Sequence, residues 1–220
     1  CRSAPRDGVA QRATRILAVI CGAVGIAVFG LMTYERNADY TSEERIWMDV
    51  MSKRPQNGRA YVNLTGALLK EGRGAEVLHW CDEGLKRMPD YAGMTMAELK
   101  SLCEGPSSEN VYRDISSYVQ IMNNSGLALR IMGRNGDAVA RFRGALQVMP
   151  GLASAKVNLA SILFAGGEAD EAIRLLREAV EQEPDKVSPH ECLGNALLLT
   201  GDIRGAVAQY EETLRLDAGN

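Results

Sequence analysis

The sequence predicts an all-α solenoid made of stacked helix–turn–helix units. The main observation is a 34-residue period, at which identical or similar residues recur in the C-terminal half of the chain. The recurring columns are Gly133/Gly167/Gly201, Ala138/Ala172/Ala206, Phe142/Leu176/Tyr210 and Leu129/Leu163/Leu197. This period is typical of helical repeat units, each of which buries its apolar face only against a neighbour.

Each unit is predicted to contain two helices around a glycine turn. In the unit 153–186, a first helix extends to about Ala165 and ends at Gly167, because glycine adopts the left-handed backbone of a tight helix exit. The second helix ends before Pro184, since proline cannot donate the next helical hydrogen bond. We call the first helix of a unit its A helix and the second its B helix.

These columns resemble the tetratricopeptide repeat family, closely over 119–152, 153–186 and 187–220, and more loosely over 58–91. The resemblance implies a right-handed superhelix whose A helices line a groove that receives a peptide or a helix. It places a set of polar residues at or near groove-facing columns, where we expect partner contacts: Asn63, Asn124, Asn158, Asn195, Lys156 and Arg130.

Two segments depart from the period. Residues 41–57 are predicted to form a half-repeat, a B helix with no ordinary A helix before it. Residues 92–118 are seven residues short of a unit, and the run Gly-Pro-Ser-Ser at 105–108 interrupts them. We expect a degenerate helix pair with a bent connection there.

The N-terminal segment 1–40 combines an Arg-rich tail with a hydrophobic helix, whose apolar core at 16–32 carries no charged residue. At ~1.5 Å per residue this core is about 26 Å long, close to the thickness of a bilayer's hydrocarbon layer. As a membrane span, it would keep the Arg-rich end in the cytoplasm and place the repeats outside it. The protein is then membrane-associated or exported.

A second interpretation of this helix is that it packs against protein. It is rich in small residues that allow close helix–helix approach: Ala18, Gly22, Ala23, Gly25, Ala27 and Gly30. At the other end of the chain, no further helix follows the last unit to cover Val207, Tyr210 and Leu214. We therefore expect this C-terminal face to bind a second copy of the chain, and a head-to-tail contact that does not close would build a filament.

Composition argues against nucleic acid binding and against catalysis. The net charge is −3 and the isoelectric point about 5.6, so no global basic field attracts nucleic acid. The five cysteines show no metal-ligand spacing, and the two histidines lie on repeat helices without a nucleophile beside them. The sequence predicts a non-enzyme with no catalytic residues, metal or cofactor.

Three functions stay open. The first, and favoured, is a self-assembling repeat protein that forms an ordered multimer or filament; the second is a membrane-anchored adaptor with exported repeats. The third is the tetratricopeptide tail of a polytopic membrane glycosyltransferase, because residues 42–73 resemble the entry into such tails and the chain has no initiator Met. Asn63 and Asn123 also fit the N-glycosylation pattern, which would mark them as acceptors if the repeats are exported.

Overall fold

A computed structural model describes residues 24–33, 42–104 and 108–218, and the chain divides into two compact units, Cys1–Ile46 and Trp47–Asn220. The described residues are mainly helical and contain no strand. The helices are α1 (24–33), α2 (Glu43–Lys53), α3 (Gly58–Lys70), α4 (Gly74–Lys86), α5 (Met96–Cys103), α6 (Ser108–Ile131), α7 (Asn135–Val148), α8 (Ala153–Ala165), α9 (Ala169–Gln182), α10 (Val187–Leu199) and α11 (Ile203–Asp217). A 3-10 turn spans Tyr91–Gly93.

In the first unit, the described part of the hydrophobic segment is α1, and all its side chains are exposed. Within the described residues, no helix combines the length and apolar character that a membrane crossing requires. Of the predicted small contact residues, Ala18, Gly22 and Ala23 lie outside the described residues. A Cβ atom added at Gly25 or Gly30 would have no atom of the described chain within 4 Å, and the packing of this helix against a second copy stays a prediction.

In the second unit, helices pack pairwise around the predicted glycine turns. Gly72, Gly133, Gly167 and Gly201 all have positive φ angles, between 72° and 89°. A residue with a side chain is strained at such a φ angle, whereas glycine is not, which explains why glycine recurs at this place in the period. The A and B helices of each pair form extensive contacts: α3 with α4, α6 with α7, α8 with α9 and α10 with α11.

The core of the solenoid follows the predicted columns. Ala138, Ala172 and Ala206 are fully buried, because a B helix crosses its neighbours too closely there for a larger side chain. The leucine column Leu129/Leu163/Leu197 is also buried. A second apolar cluster at the start of the unit joins α2, α3, α4 and α6 through residues that include Met51, Tyr61, Leu64, Val77 and Ile121.

Residues 92–118 differ from the predicted degenerate helix pair. The first helix, α5, is present, but the second is continuous with the A helix of the next repeat and forms the 24-residue α6, about 36 Å long. No proline or glycine lies between Ser108 and Gly126, so nothing in the sequence ends a helix at the repeat boundary. The predicted break overlaps 105–107, which lie outside the described residues.

The C-terminal half of α6 packs on both α3 and α4, as the A helix of a following repeat does. The solenoid therefore passes from the α3–α4 pair to the α6–α7 pair, and residues 91–118 form an insertion between them. This insertion consists of the 3-10 turn, α5 and the N-terminal half of α6. Tyr91 and Tyr118 hold it to the core: both are buried and their rings meet edge to face at 5.3 Å.

Candidate interaction surfaces

The A helices α3, α6, α8 and α10 carry the residues that the sequence predicts to bind a partner; we call the face they share the A-helix surface. Two of its asparagines bond to neighbouring A helices. Asn124 donates from Nδ2 to the Thr65 hydroxyl at 2.9 Å and to the Val62 carbonyl at 3.4 Å, which links α6 to α3. Asn158 donates to Asn123 Oδ1 at 3.0 Å, which links α8 to α6.

These amide bonds fix the register of successive A helices, because a buried amide is costly unless it is bonded. Asn124 is buried and Asn158 is half-buried, so both are used within the fold. Sequence reasoning missed Asn123 and Thr65 as their acceptors. A weak signal existed for Asn123, which is adjacent to the asparagine column in the sequence.

Lys156 is buried on α8, and its ammonium lies 2.7 Å from Glu178 on α9. The hydrogen bond from Lys156 lowers the pKa of the Glu178 carboxyl, and an exposed Arg174 adds a second bond at 2.6 Å. Lys156 therefore joins the two helices of one pair. Its partner in the structure is a carboxylate of the same chain.

Of the other three predicted groove residues, Asn63 is half-buried, whereas Arg130 and Asn195 are exposed. Asn195 Oδ1 accepts a hydrogen bond from the Tyr210 hydroxyl at 2.7 Å, which holds the amide in place. Its Nδ2 has no hydrogen-bond partner among the described residues. An amide fixed in this way can donate to a carbonyl of a bound polypeptide.

Asn195 borders a small pocket between α8 and α10. The pocket has a volume of about 160 Å³ and is lined mainly by apolar atoms, with Phe164, Cys192 and Leu199 around it. Sites for drug-sized ligands are larger, about 300–1,000 Å³. This pocket therefore suits one apolar side chain beside the Asn195 amide.

The predicted C-terminal face lies on α11. Val207 and Leu214 are 48% and 69% exposed, and Ile203, on the same side of the helix, is 63% exposed. Tyr210 is half-buried, because its ring packs on Gly194, where an added Cβ would lie 2.8 Å from Cε1 of the ring.

One repeat earlier, on α9, the equivalent residues are covered by a neighbouring helix. Leu176 is buried, and Ile173 and Val180 are partly buried and pack on the core. The covering helix there is α10, the next A helix, which packs on α9. In the part of the chain that the structure describes, α11 has no such following helix.

The glycosylation pattern at Asn123 conflicts with the fold. This asparagine is buried within α6 and its oxygen accepts the bond from Asn158, so a glycan cannot be accommodated in the folded chain. Asn63 lies within α3 and is half-buried. Whether it carries a glycan stays a prediction.

The described titratable groups show no arrangement for nucleophilic or metal chemistry. Cys81, Cys103 and Cys192 are free thiols, and burial raises the pKa of Cys81 to about 12, which disfavours its reactive thiolate. His190 is buried and its two ring nitrogens contact Gln209 and the Pro184 carbonyl. No metal-binding group of His, Cys, Asp and Glu occurs within the described residues.

Comparison with known proteins agrees with the repeat pattern. The family model described as tetratricopeptide repeat matches residues 129–190, from the A helix α6 into α10. These residues are similar to the tetratricopeptide repeat family. The match includes the α8–α9 pair, and with it Asn158, whose amide bonds to α6.

Solved structures of tetratricopeptide type share the fold. A double mutant of MamA aligns with a TM-score of 0.56 and 13% identity, over 88% of this chain and 93% of the other. A thermophilic tetratricopeptide protein of Thermus thermophilus aligns with a TM-score of 0.53 and 20% identity, over 88% of each chain. At these identities the likeness shows the helical tetratricopeptide fold alone.

Two curated relatives are similar along most of the chain. The protein O-mannosyl-transferases TMTC3 of Homo sapiens and Mus musculus are each 24% identical over 205 residues, which is 93% of this chain. The chain spans 21% of the length of these relatives. The similarity therefore concerns one part of a much longer transferase.

Proposed function

We propose that the tetratricopeptide solenoid is a protein-binding module, and that its A-helix surface holds an extended segment of a partner polypeptide. The observation that carries this proposal is the pocket between α8 and α10. It places an apolar recess of about 160 Å³ next to an amide whose orientation the Tyr210 hydroxyl fixes. One apolar side chain in the recess and one backbone carbonyl on Asn195 would be recognised together.

Selection of peptides on the purified chain tests this proposal. A phage-displayed library of peptides about 12 residues long should yield binders whose affinity falls at least about tenfold with Asn195→Ala or Leu199→Glu. Met48→Glu is the matched control, because Met48 is also exposed but lies on α2. Binders that are insensitive to both pocket variants would show that the A-helix surface is not the binding site.

We further propose that this module belongs to a longer membrane glycosyltransferase-type protein and recruits polypeptide to it. The support is the similarity to the O-mannosyl-transferases over 93% of the chain, which spans 21% of their length. The uncharged run at 16–32, preceded by four arginines, would then be a membrane segment with the repeats on the extracytoplasmic side.

The coding sequence on either side of the chain tests this placement. Several membrane-spanning segments upstream would support it, and an upstream reading frame without any would contradict it. Alkaline phosphatase fused after residue 218 should be active if the repeats are exported. A fluorescent protein fused at the same place should fluoresce if the repeats are cytoplasmic. Fluorescence of that fusion would reject the proposed topology.

A second candidate function is self-association into an ordered multimer or filament. It is favoured by the exposed face of α11, at places that a following A helix covers on α9. A second copy of the chain that supplies a helix to this face, with the small-residue helix at 16–32 as the segment proposed to dock, would build a head-to-tail assembly.

Sedimentation velocity and negative-stain microscopy of the full chain test self-association. The wild-type chain should sediment faster as its concentration rises and form regular particles, whereas Val207→Glu with Leu214→Glu should stay monomeric. Leu102→Glu is the control, because Leu102 is exposed on α5, away from this face. Equal sedimentation of wild type and double variant would exclude α11 as the contact.

A further inference from the structure

A polar recess lies between the loop after α2, the start of α3 and the N-terminal half of α6. Its volume is about 520 Å³, within the range of sites for small-molecule ligands. Among the described residues that line it, all except Pro55 and Gly58 carry polar or charged side chains. The recess therefore suits a polar ligand, unlike the apolar pocket beside Asn195.

Three arginines from three different elements meet at this recess. Arg54 follows α2, Arg59 lies in the first turn of α3, and Arg113 lies on α6. Asp114 is the one acidic residue of the described lining, so three cations and one carboxylate give the lining a net charge of +2. The entire chain has a net charge of −3. The recess is thus a local basic site on an acidic protein and attracts an anionic group.

These arginines are largely free to bind a ligand. Arg54 and Arg59 are exposed and form no ion pair within the part of the chain that the structure describes. Arg113 lies 3.4 Å from Glu109, whose side chain is 92% exposed, and such exposed pairs are weak. Because guanidinium groups bind phosphate oxygens through two parallel hydrogen bonds, arginines gathered around one recess are suited to a phosphate group.

The backbone around the recess is held in place within the fold. The Tyr61 hydroxyl donates to the Pro55 carbonyl at 3.1 Å, which anchors the loop after α2 to α3. Gly58 packs directly on α6, since a Cβ added to it would lie 2.8 Å from Cβ of the buried Ser117. The Ser117 hydroxyl in turn donates to the Arg113 carbonyl at 3.0 Å. The recess is therefore preformed, which reduces the entropic cost of binding.

The remaining polar groups of the lining suit hydroxyl groups. Asn57 makes no side-chain capping bond to α3, so its amide is available to a ligand, and Gln56 adds a second amide. Amides donate and accept hydrogen bonds, whereas the Asp114 carboxylate only accepts them. A carboxylate repels a bare phosphate but accepts hydrogen bonds from hydroxyl groups attached to one. The lining thus favours a ligand that carries hydroxyl groups beside its phosphate.

From these observations we propose that the recess binds a phosphorylated sugar or polyol. Arg54, Arg59 and Arg113 hold the phosphate, and Asp114 with the two amides holds the hydroxyl groups. This site is separate from the pocket beside Asn195 and from the exposed face of α11. It does not depend on the functions proposed for those surfaces.

Isothermal titration calorimetry on the purified full-length chain tests the proposal. The probes are glucose 6-phosphate and glycerol 3-phosphate, and each is compared with inorganic phosphate and with glucose. At least one of the two esters should bind about tenfold or more tightly than inorganic phosphate, because its hydroxyl groups add hydrogen bonds. Glucose should show no heat of binding, and binding of the esters should weaken as salt is raised.

Arg54→Gln and Arg59→Gln should each weaken binding of the ester at least about tenfold. Both arginines are exposed, so the substitutions leave the core intact, which circular dichroism checks. Arg204→Gln is the matched control, since Arg204 is an exposed arginine on α11 and its replacement changes the net charge equally.

Asp114→Ala separates the two parts of the site. Loss of the carboxylate should make inorganic phosphate bind more tightly, because a like charge is removed. The same variant should reduce the preference for the ester over inorganic phosphate, because an acceptor for hydroxyl groups is lost. A merely structural role of Asp114 would weaken both ligands alike.

Cosedimentation with phosphatidylcholine vesicles, with and without phosphatidylinositol phosphate, identifies the source of the ligand. Additional binding to the second vesicles that Arg59→Gln abolishes would assign the phosphorylated polyol to a lipid headgroup. Equal binding to both vesicles, together with binding of a soluble ester, would assign it to a soluble molecule.

Three results would overturn the proposal. The first is absence of binding of both esters. The second is equal binding of inorganic phosphate and the esters, which would reduce the recess to an unselective anion site. The third is an equal loss in Arg59→Gln and Arg204→Gln, which would trace the effect to net charge alone.

Discussion

The two halves of α6 lie in two different environments, although they form one continuous helix. From Ser117 to Gly126 every residue except Gln120 is buried, because α3, α4 and α7 surround this half as repeat neighbours. From Glu109 to Asp114 all residues are exposed except the half-buried Val111. The insertion supplies only α5 and the 3-10 turn as neighbours there, among the described residues.

The difference shows how a strict 34-residue period affects the surface that the helices expose. Where units follow each other at 34 residues, each B helix is covered by the next A helix, and the recess beside α9 and α10, about 570 Å³ in volume, is lined mainly by charged residues, among them Arg174, Arg177 and Glu178. Where the period is broken, α6 continues beside α5 and borders an apolar cleft of about 500 Å³. The break in the period therefore changes the lining of the recess from mainly charged to mainly apolar residues.

The largest loss of stability should come from removing an aromatic ring that packs in the core of the periodic region. Phe142 is fully buried on α7, so Phe142→Ala should lower the free energy of unfolding by about 3–5 kcal/mol, through lost burial and the cavity left behind. Chemical denaturation of the full chain measures this. Tyr112→Ala, at an exposed aromatic of the insertion, should change the free energy by less than about 0.5 kcal/mol. Equal losses would contradict the contrast between the two regions.

Much of the periodic region was predictable from the sequence because the same packing contacts recur in every unit. A column of alanine or glycine at a close helix crossing leaves the same trace in every unit, and Ala138, Ala172 and Ala206 are buried as expected. The pairing of amides was not predictable. Which oxygen Asn158 reaches depends on a small rotation between packed helices, and a sequence period does not specify that rotation.

The sequence indicated where the insertion lies but not which helices it forms. The shortened spacing from Gly72 to Gly133 marks a departure from the period, whereas the absence of a helix breaker between Ser108 and Gly126 is a weaker signal that predicts the continuous helix only in hindsight. The apolar cleft lies between α5, the N-terminal half of α6 and the end of α7. Such non-local packing has no sequence pattern of its own.

Intermediate effects should follow from filling the close approaches of the periodic region. A Cβ added at Gly126 would lie 2.6 Å from Cε1 of the buried Phe142 ring, so Gly126→Ala should cost about 1–3 kcal/mol. Gly194→Ala should cost less, because the half-buried Tyr210 ring can move toward solvent. Thermal and chemical denaturation of both variants measure the difference.

Gly136→Ala provides the control for these two substitutions. A Cβ at Gly136 meets no atom within 4 Å and lies in the first turn of α7, so alanine should raise the free energy of unfolding by about 0.4–1 kcal/mol. If all three alanine variants changed stability alike, helix propensity rather than close packing would explain the glycines at 126 and 194.

The smallest effect concerns the attachment of the insertion to the periodic core. Tyr118→Phe removes the hydroxyl that bonds Asp90 at 3.2 Å but keeps the ring against Tyr91, so the free energy of unfolding should fall by about 0.5–1.5 kcal/mol. The loss should be local, because the bond joins Asp90 and Tyr118 at the two ends of the insertion. Hydrogen exchange should therefore accelerate in α5 and in the N-terminal half of α6, while the amides of α8 and α9 keep their protection. Faster exchange throughout the solenoid would mean that the insertion is part of the cooperative core, and the open cleft would then be a structural element of the repeats themselves.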